Sequence, residues 1–153
     1  MKVRPYSPWI SRLFIFAMTG LAFTGVLQMP LAKRYYLTDV PGMAWTGDLF
    51  LVHKLHYMLA ALLLFVVALA VMNWLLEWKD KLILTRLGLV RNIILSGLLV
   101  SGLLRVYRNM PGITLDPLAI VTIEWVHLGL AVVMGVVALV ALLKKDSAYA
   151  VWR

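Results

Sequence analysis

The sequence predicts an all-α membrane protein, a four-transmembrane-helix up-and-down bundle, and three observations support that fold class. The 153 residues are 63% hydrophobic and only 14% charged, whereas about a quarter of the residues in a soluble domain are charged. Four apolar segments each reach the roughly 20 residues that a helix needs to cross a bilayer. The connections between them are short, which favours antiparallel packing of neighbouring helices. We interpret residues 1–153 as a single integral membrane domain.

Hydropathy and capping signals set the expected helix boundaries. Helices are expected at about 13–32, 49–78, 87–106 and 117–143. The basic segment before residue 13 contains two prolines and is predicted to be an interfacial lead-in rather than helix. The first span is too long for a signal-peptide core, so we expect it to be retained. Asp48 can cap the second helix, and Asp116-Pro117 suits the start of the fourth.

Basic residues are distributed unequally between the two ends of these helices. Ten belong to the end that contains both termini and the middle connection: Lys2, Arg4, Arg12, Lys79, Lys81, Arg86, Arg91, Lys144, Lys145 and Arg153. Five belong to the opposite end: Lys33, Arg34, Lys54, Arg105 and Arg108. Lys and Arg are enriched on the cytoplasmic side of membrane proteins. We therefore expect both termini in the cytoplasm, and we ascribe the net charge of +8 to topology rather than to nucleic-acid binding.

Three histidines near the outer ends of two predicted helices are the main functional signal. His53 and His56 open the second helix, and His127 lies near the start of the fourth. Ionisable side chains within membrane segments are costly and are functional candidates by default. The chain has no cysteine, which excludes disulfides, iron–sulfur ligation and covalent c-type haem. Any haem would therefore be held non-covalently by imidazoles.

His56 and His127 are the predicted iron ligands. Counted from the starts of their helices they differ in depth by only about 3 Å, given the rise of an α-helix. Two imidazoles at matched depth on facing helices can bind the two faces of one haem b. Ala60 and Ala131 each follow four residues later, and these small side chains would leave room for a flat ring.

Other polar residues near these histidines have two interpretations each. His53, about 5 Å shallower than His56, is expected at the cavity mouth as a hydrogen-bond donor to a propionate or a quinone, although the two histidines could exchange roles. Glu124 either exchanges a proton with a quinone or forms an ion pair with Arg105 or Arg108. The two arginines either bind haem propionates or anchor the helix at the interface.

The first and third helices share a pattern of small residues. Hydroxyl–glycine pairs occur at Thr19-Gly20, Thr24-Gly25, Ser96-Gly97 and Ser101-Gly102. Their alternation with the histidine-bearing helices hints at a two-helix duplication. Small residues at such spacing normally allow close helix approach, and we favour that role over a cofactor-specific one.

These residues resemble the bacterial cytochrome b family that includes the membrane subunits of formate dehydrogenase and nickel–iron hydrogenase. The similar features are Trp9 and Arg12, Thr24-Gly25, Leu55-His56-x-x-x-Ala60 and Trp125-x-His127-x-x-x-Ala131. Members of that family hold two b haems and exchange electrons between an extracytoplasmic partner and membrane quinone. The histidines of their inner haem have no counterpart here, since residues 9–30 contain none and none follows His127.

The resemblance implies a membrane electron-transfer subunit with one outer haem, rather than a stand-alone enzyme. Its partner would be an extracytoplasmic iron–sulfur or multihaem subunit of a hetero-oligomeric complex, embedded among the lipids of the bacterial inner membrane. Two alternatives stay open. One is a cofactor-free membrane anchor or assembly subunit, and the other is a membrane enzyme that binds zinc or copper through the three histidines and Glu124.

Overall fold

A computed structural model describes residues 7–29, 37–145 and 148–153, and long helices make up most of it. The helices are α1 (Pro8–Leu27), α2 (Leu49–Asn73), α3 (Arg86–Arg108) and α4 (Pro117–Leu143), and the strands are β1 (Leu82–Leu84) and β2 (Ala150–Trp152). Single 3₁₀ turns occupy Leu37–Asp39 and Ala44–Gly47. All four helices are long and apolar enough to cross a membrane. The predicted all-α, multi-pass membrane class is confirmed.

The start of α1 corrects the predicted boundary. The helix begins at Pro8 rather than at about residue 13, because proline is pre-organised for the first helical turn and loses no intrahelical hydrogen bond there. The expected non-helical lead-in is therefore wrong for residues 8–12. The described helix ends at Leu27 with Gln28 as its cap, and residues 30–32 of the predicted span lie outside the described residues.

Both predicted aspartate caps are confirmed. The Asp48 carboxylate accepts a hydrogen bond from the backbone N–H of Leu51 at 3.1 Å. Asp116 accepts one from the N–H of Leu118 at 2.8 Å. Helix α2 continues into a π-helical turn, Trp74–Trp78, so its helical stretch ends where the sequence predicted.

The chain divides into two compact units, Met1–Asp80 and Lys81–Arg153. In the first, α1 packs against α2, and in the second, α3 packs against α4. We call these the first and second hairpins. The expectation of a single domain stays a prediction.

Glycines bring the two helices of each hairpin together. A Cβ atom on Gly20 would lie 2.8 Å from a methyl group of Leu59, and one on Gly97 would lie 2.9 Å from a methyl group of Leu130. Both distances are closer than van der Waals contact allows, so a side chain at either glycine would displace the end of the facing leucine. These contacts agree with the predicted role of the small residues in close helix packing.

Candidate functional site

His56 of α2 is held by a hydroxyl group of α1. Thr24 is buried, and its Oγ1 lies 2.8 Å from His56 Nδ1. The same oxygen lies 2.8 Å from the carbonyl oxygen of Gly20, one turn earlier in α1. A hydroxyl has one proton, and a carbonyl can only accept. Thr24 therefore donates to the Gly20 carbonyl and accepts the Nδ1–H of His56.

The second hairpin repeats this arrangement with serine. Ser101 Oγ lies 2.9 Å from His127 Nδ1 and 2.8 Å from the carbonyl oxygen of Gly97. By the same proton count, Ser101 donates to its own helix and accepts from the imidazole. The histidine lies three residues before the packed leucine in each hairpin, and the hydroxyl lies four residues after the packed glycine. The two helices are thus antiparallel in both hairpins, with matching register.

The hydroxyl contacts fix the tautomer of both imidazoles. A neutral imidazole with its proton on Nδ1 carries its lone pair on Nε2. Histidines that bind metals usually donate their other ring N–H to a carbonyl, carboxylate or water, which sets the ring orientation and raises the basicity of the ligating nitrogen. In His56 and His127, Nε2 is therefore the ring nitrogen through which a metal would be coordinated.

Small residues flank the two rings. A Cβ atom on Gly25 would lie 3.7 Å from His56 Cε1, and one on Gly102 would lie 3.5 Å from His127 Cε1. Larger side chains at these glycines would press on the edge of the imidazoles. Ala60 and Ala131 lie one helical turn beyond their histidines, and their small side chains add little bulk there. Ala60 is half-buried and Ala131 is exposed.

His53 has different surroundings from His56. Its Nδ1 donates to the carbonyl oxygen of Leu49 at 3.0 Å, and its ring meets Tyr57 edge-on with centroids 6.3 Å apart. It lines a groove of about 750 Å³ together with other α2 residues: Leu49, Phe50, Lys54, Tyr57, Met58 and Ala61. Since every lining residue belongs to α2, this groove lies along a single helix. The contact with an α1 hydroxyl belongs to His56, which favours His56 as the ligand.

Glu124 forms an ion pair with both neighbouring arginines. Its Oε1 lies 2.8 Å from a terminal guanidinium nitrogen of Arg108, and its Oε2 lies 3.1 Å from one of Arg105. Arg105 Nε adds a hydrogen bond of 3.2 Å to Oε1. This is the ion-pair alternative that the sequence left open for Glu124. The three groups together carry a net charge of +1.

Gln28 is a residue whose role the sequence did not indicate. It follows Thr24 by one helical turn, and its Nε2 is buried without a hydrogen-bond partner in the described part of the chain. Buried polar groups are nearly always paired, so an orphaned donor calls for an explanation such as a ligand or water. The Gln28 amide is thus a donor for a hydrogen-bond acceptor near the His56 end of the first hairpin.

The carboxylate that a zinc or copper site would need beside the three histidines, Glu124, is engaged by two arginines. Within the described residues, no group of three or more His, Cys, Asp or Glu side chains could hold a metal ion. Zinc enzymes use three protein ligands, and the carboxylate of Glu124 is already bound by two guanidinium groups. A haem, by contrast, is held by imidazole nitrogens without a carboxylate ligand.

Comparisons of the chain with protein-family models, with curated proteins and with solved structures found no match. The resemblance to the cytochrome b family therefore stays a prediction from the quoted motifs. The functional argument rests on the two hydroxyl–imidazole pairs.

Proposed function

We propose that this protein is a membrane-bound b-type cytochrome subunit, in which His56 and His127 are the axial ligands of one haem b. The observation that carries the proposal is the repeated pair, Thr24 with His56 at 2.8 Å and Ser101 with His127 at 2.9 Å. Two histidines with purely structural roles would not need to carry their protons on the same ring nitrogen. Here two separate hairpins both direct the proton to Nδ1.

In this function, His56 and His127 would hold the iron through Nε2, and the two hydroxyls would keep the ring planes in place. A bound haem supplies one-electron redox chemistry. Two protein ligands leave no coordination position for oxygen or substrate, so the subunit carries electrons rather than transforming a substrate. Axial ligand identity and hydrogen bonding to the ligands then tune the potential.

Charged and polar groups nearby would hold the haem carboxylates and a quinone. The net positive charge of the Arg105–Arg108–Glu124 cluster can balance one propionate, and Glu124 orients the two guanidinium groups for that contact. The orphaned amide of Gln28 is a donor for a propionate or a quinone carbonyl. His53 already donates its Nδ1–H to the Leu49 carbonyl, so its Nε2 would instead accept the hydroxyl of a quinol. Under this proposal Glu124 acts through the arginines, and its use as a proton carrier for quinone is secondary.

The proposal places the subunit in the bacterial inner membrane with both termini in the cytoplasm, which follows the bias of basic residues. The histidines then lie towards the outer face. The electron partner would be an extracytoplasmic iron–sulfur or multihaem subunit, and the other partner would be the quinone pool.

The test is a reduced-minus-oxidised absorption spectrum of the purified chain, together with iron, zinc and copper contents per chain. We expect a b-type spectrum and one iron per chain. A folded protein without bound metal would instead support the cofactor-free anchor, and stoichiometric zinc or copper would support the metal-dependent enzyme. Either outcome would overturn the cytochrome proposal.

A further inference from the structure

The second hairpin carries a two-stranded ribbon at the end where α3 begins and α4 finishes. Strands β1 and β2 pair antiparallel, with Leu82 opposite Trp152, Ile83 opposite Val151 and Leu84 opposite Ala150. The N–H of Arg153 donates to the carbonyl of Lys81 at 2.9 Å, which extends the ladder by one pair. A lone ribbon of three-residue strands is marginal in water, so other contacts must hold it.

Those contacts come from the first turns of α3. Thr85 donates its hydroxyl to the carbonyl of Ala148 at 2.9 Å, and a terminal nitrogen of Arg91 donates to the same carbonyl at 3.1 Å. The Arg91 guanidinium also lies 3.9 Å from the centroid of the Tyr149 ring. Arg91 is only 5% exposed. The segment 148–153 is therefore held in two ways: residues 148 and 149 contact Thr85 and Arg91, and residues 150–152 pair with β1.

Gly88 makes this fastening feasible. A Cβ atom at this position would collide with the carbonyl oxygen of Tyr149. The same carbonyl accepts the N–H of Thr85 at 3.0 Å. Only glycine allows the backbone of the segment to come this close to the helix.

The ribbon has an inner and an outer face. Leu82 and Ala150 are buried, whereas Ile83 and Val151 are 49% and 38% exposed. Side chains alternate along a strand, so Lys81 and Arg153 share the outer face with Ile83 and Val151. The outer face combines two apolar side chains with two basic ones, whereas Trp152 and Leu84, which are 51% and 36% exposed, share the opposite face with Leu82 and Ala150.

We propose that the outer face of this ribbon binds the anionic phospholipid headgroups of the membrane that the helices cross. Only Thr85 separates β1 from α3, so the ribbon lies at the boundary where the spanning helix meets water. When apolar and basic residues share one face of an element, the apolar side chains enter the edge of the acyl-chain region. The basic side chains then contact the lipid phosphates. Tryptophan is enriched at the same depth.

Charge complementarity favours lipid phosphate as the occupant. The ribbon residues 81–84 and 150–153 contain two basic side chains, Lys81 and Arg153, and no acidic one. The exposed apolar residues are adjacent to the spanning helices, where acyl chains are already present. A ribbon facing a soluble partner would not need to lie at this boundary.

The absence of cysteine permits a direct test. An environment-sensitive dye on Val151→Cys reports the outer face, and the same dye on Met110→Cys reports the exposed connection at the other end of the hairpin. Each labelled protein is reconstituted in nanodiscs of phosphatidylcholine alone or with phosphatidylglycerol. We expect a blue-shifted emission at position 151 relative to 110, and a further blue shift at 151 when phosphatidylglycerol is present.

Two charge variants of the labelled Val151→Cys protein then locate the site. Lys81→Gln/Arg153→Gln should abolish the shift caused by phosphatidylglycerol, whereas Lys144→Gln/Lys145→Gln, with the same loss of charge at the same end, should retain most of it. Equal losses in both variants, or equal emission at positions 151 and 110, would overturn the proposal. A comparable shift with soluble glycerol phosphate in phosphatidylcholine discs would also overturn it, since the ligand would then be a free phosphate.

Discussion

The hydroxyl oxygen of Ser101 lies 2.9 Å from Nδ1 of His127 and simultaneously contacts the carbonyl of Gly97. The α3 backbone thus decides which nitrogen of an α4 imidazole is protonated. Thr24 does the same for His56. Because the chain uses threonine in one place and serine in the other, the shared property is the hydroxyl group rather than the side-chain size.

Removing these hydroxyls should weaken haem binding and raise its midpoint potential. Without an acceptor for Nδ1–H, the imidazole becomes a poorer electron donor, which stabilises ferric iron less. Loss of such a partner typically costs 10- to 100-fold in metal affinity, so we expect a decrease of about tenfold in Thr24→Val or Ser101→Ala. Redox titration and haem-to-protein ratio measure both effects.

The conservative exchanges are the controls for this prediction. Thr24→Ser and Ser101→Thr retain the hydroxyl and should keep both the potential and the occupancy of the original protein. An unchanged potential in Thr24→Val and Ser101→Ala, with haem fully bound, would contradict a positioning role for the hydroxyls while leaving the cytochrome proposal intact.

Histidine substitutions should separate ligands from neighbours. His56→Ala and His127→Ala should abolish haem incorporation, because each removes one axial nitrogen. His53→Ala should retain haem and slow quinone turnover, since His53 donates to the Leu49 carbonyl of its own helix. The absorption spectrum of each purified variant provides the measurement. Retention of haem in His56→Ala, with loss in His53→Ala, would reverse the two assignments.

The glycines beside the rings should tolerate alanine but not valine. An alanine Cβ at Gly102 lies 3.5 Å from His127 Cε1, an ordinary contact, whereas the methyl groups of valine would displace the ring and reduce haem occupancy. Gly129→Val on α4 is the matched control, because a Cβ atom there meets nothing within 4 Å. Equal occupancy in Gly102→Val and Gly129→Val would show that the ring edge is not constrained.

Neutralising Glu124 should destabilise the second hairpin modestly. Glu124→Gln leaves the guanidinium groups of Arg105 and Arg108 without their counter-charge. The side chains are 22%, 23% and 37% exposed for Arg105, Arg108 and Glu124, so solvent screening limits the loss to about 1 kcal/mol. Thermal unfolding in detergent measures it, with Asp80→Asn as a control that removes an exposed carboxylate. A larger effect in the control would contradict the importance of this cluster.

Gly88→Ala should release the segment 148–153 from α3. Alanine would normally favour a helix by up to about 1 kcal/mol over glycine, but here its Cβ collides with the Tyr149 carbonyl. We expect faster amide hydrogen exchange at Val151 and a lower unfolding temperature. Gly135→Ala, in open space on α4, should have the opposite effect on stability. Unchanged exchange in Gly88→Ala would mean that the close approach is unnecessary.

Local signals in the sequence predicted the helices well. Hydropathy and the caps at Asp48 and Asp116 depend only on neighbouring residues, so α2 and α4 begin where expected. The start of α1 is harder to predict, because a proline such as Pro8 can break a helix or occupy its first turn, and here it does the latter.

Contacts between distant residues were less predictable. The hydroxyl and the imidazole are 32 residues apart in the first hairpin and 26 in the second, and their meeting depends on how the helices align. In the sequence, Thr24-Gly25 and Ser101-Gly102 favour close helix packing over a cofactor-specific role, and nothing there indicates that their hydroxyls contact the imidazoles. The sequence does not predict the ribbon, because three-residue strands have no periodicity of their own and depend on Arg91 and Gly88.

Each hydroxyl–imidazole contact is completed within a single pair of helices, which has a consequence for biogenesis. A polar ring that enters hydrocarbon without a partner is penalised by several kcal/mol. Since α1 satisfies His56 and α3 satisfies His127, each helix pair can leave the translocon with Nδ1 already bonded. The nascent chain can thus be inserted two helices at a time, and the haem of the proposed function would be loaded after translation has finished.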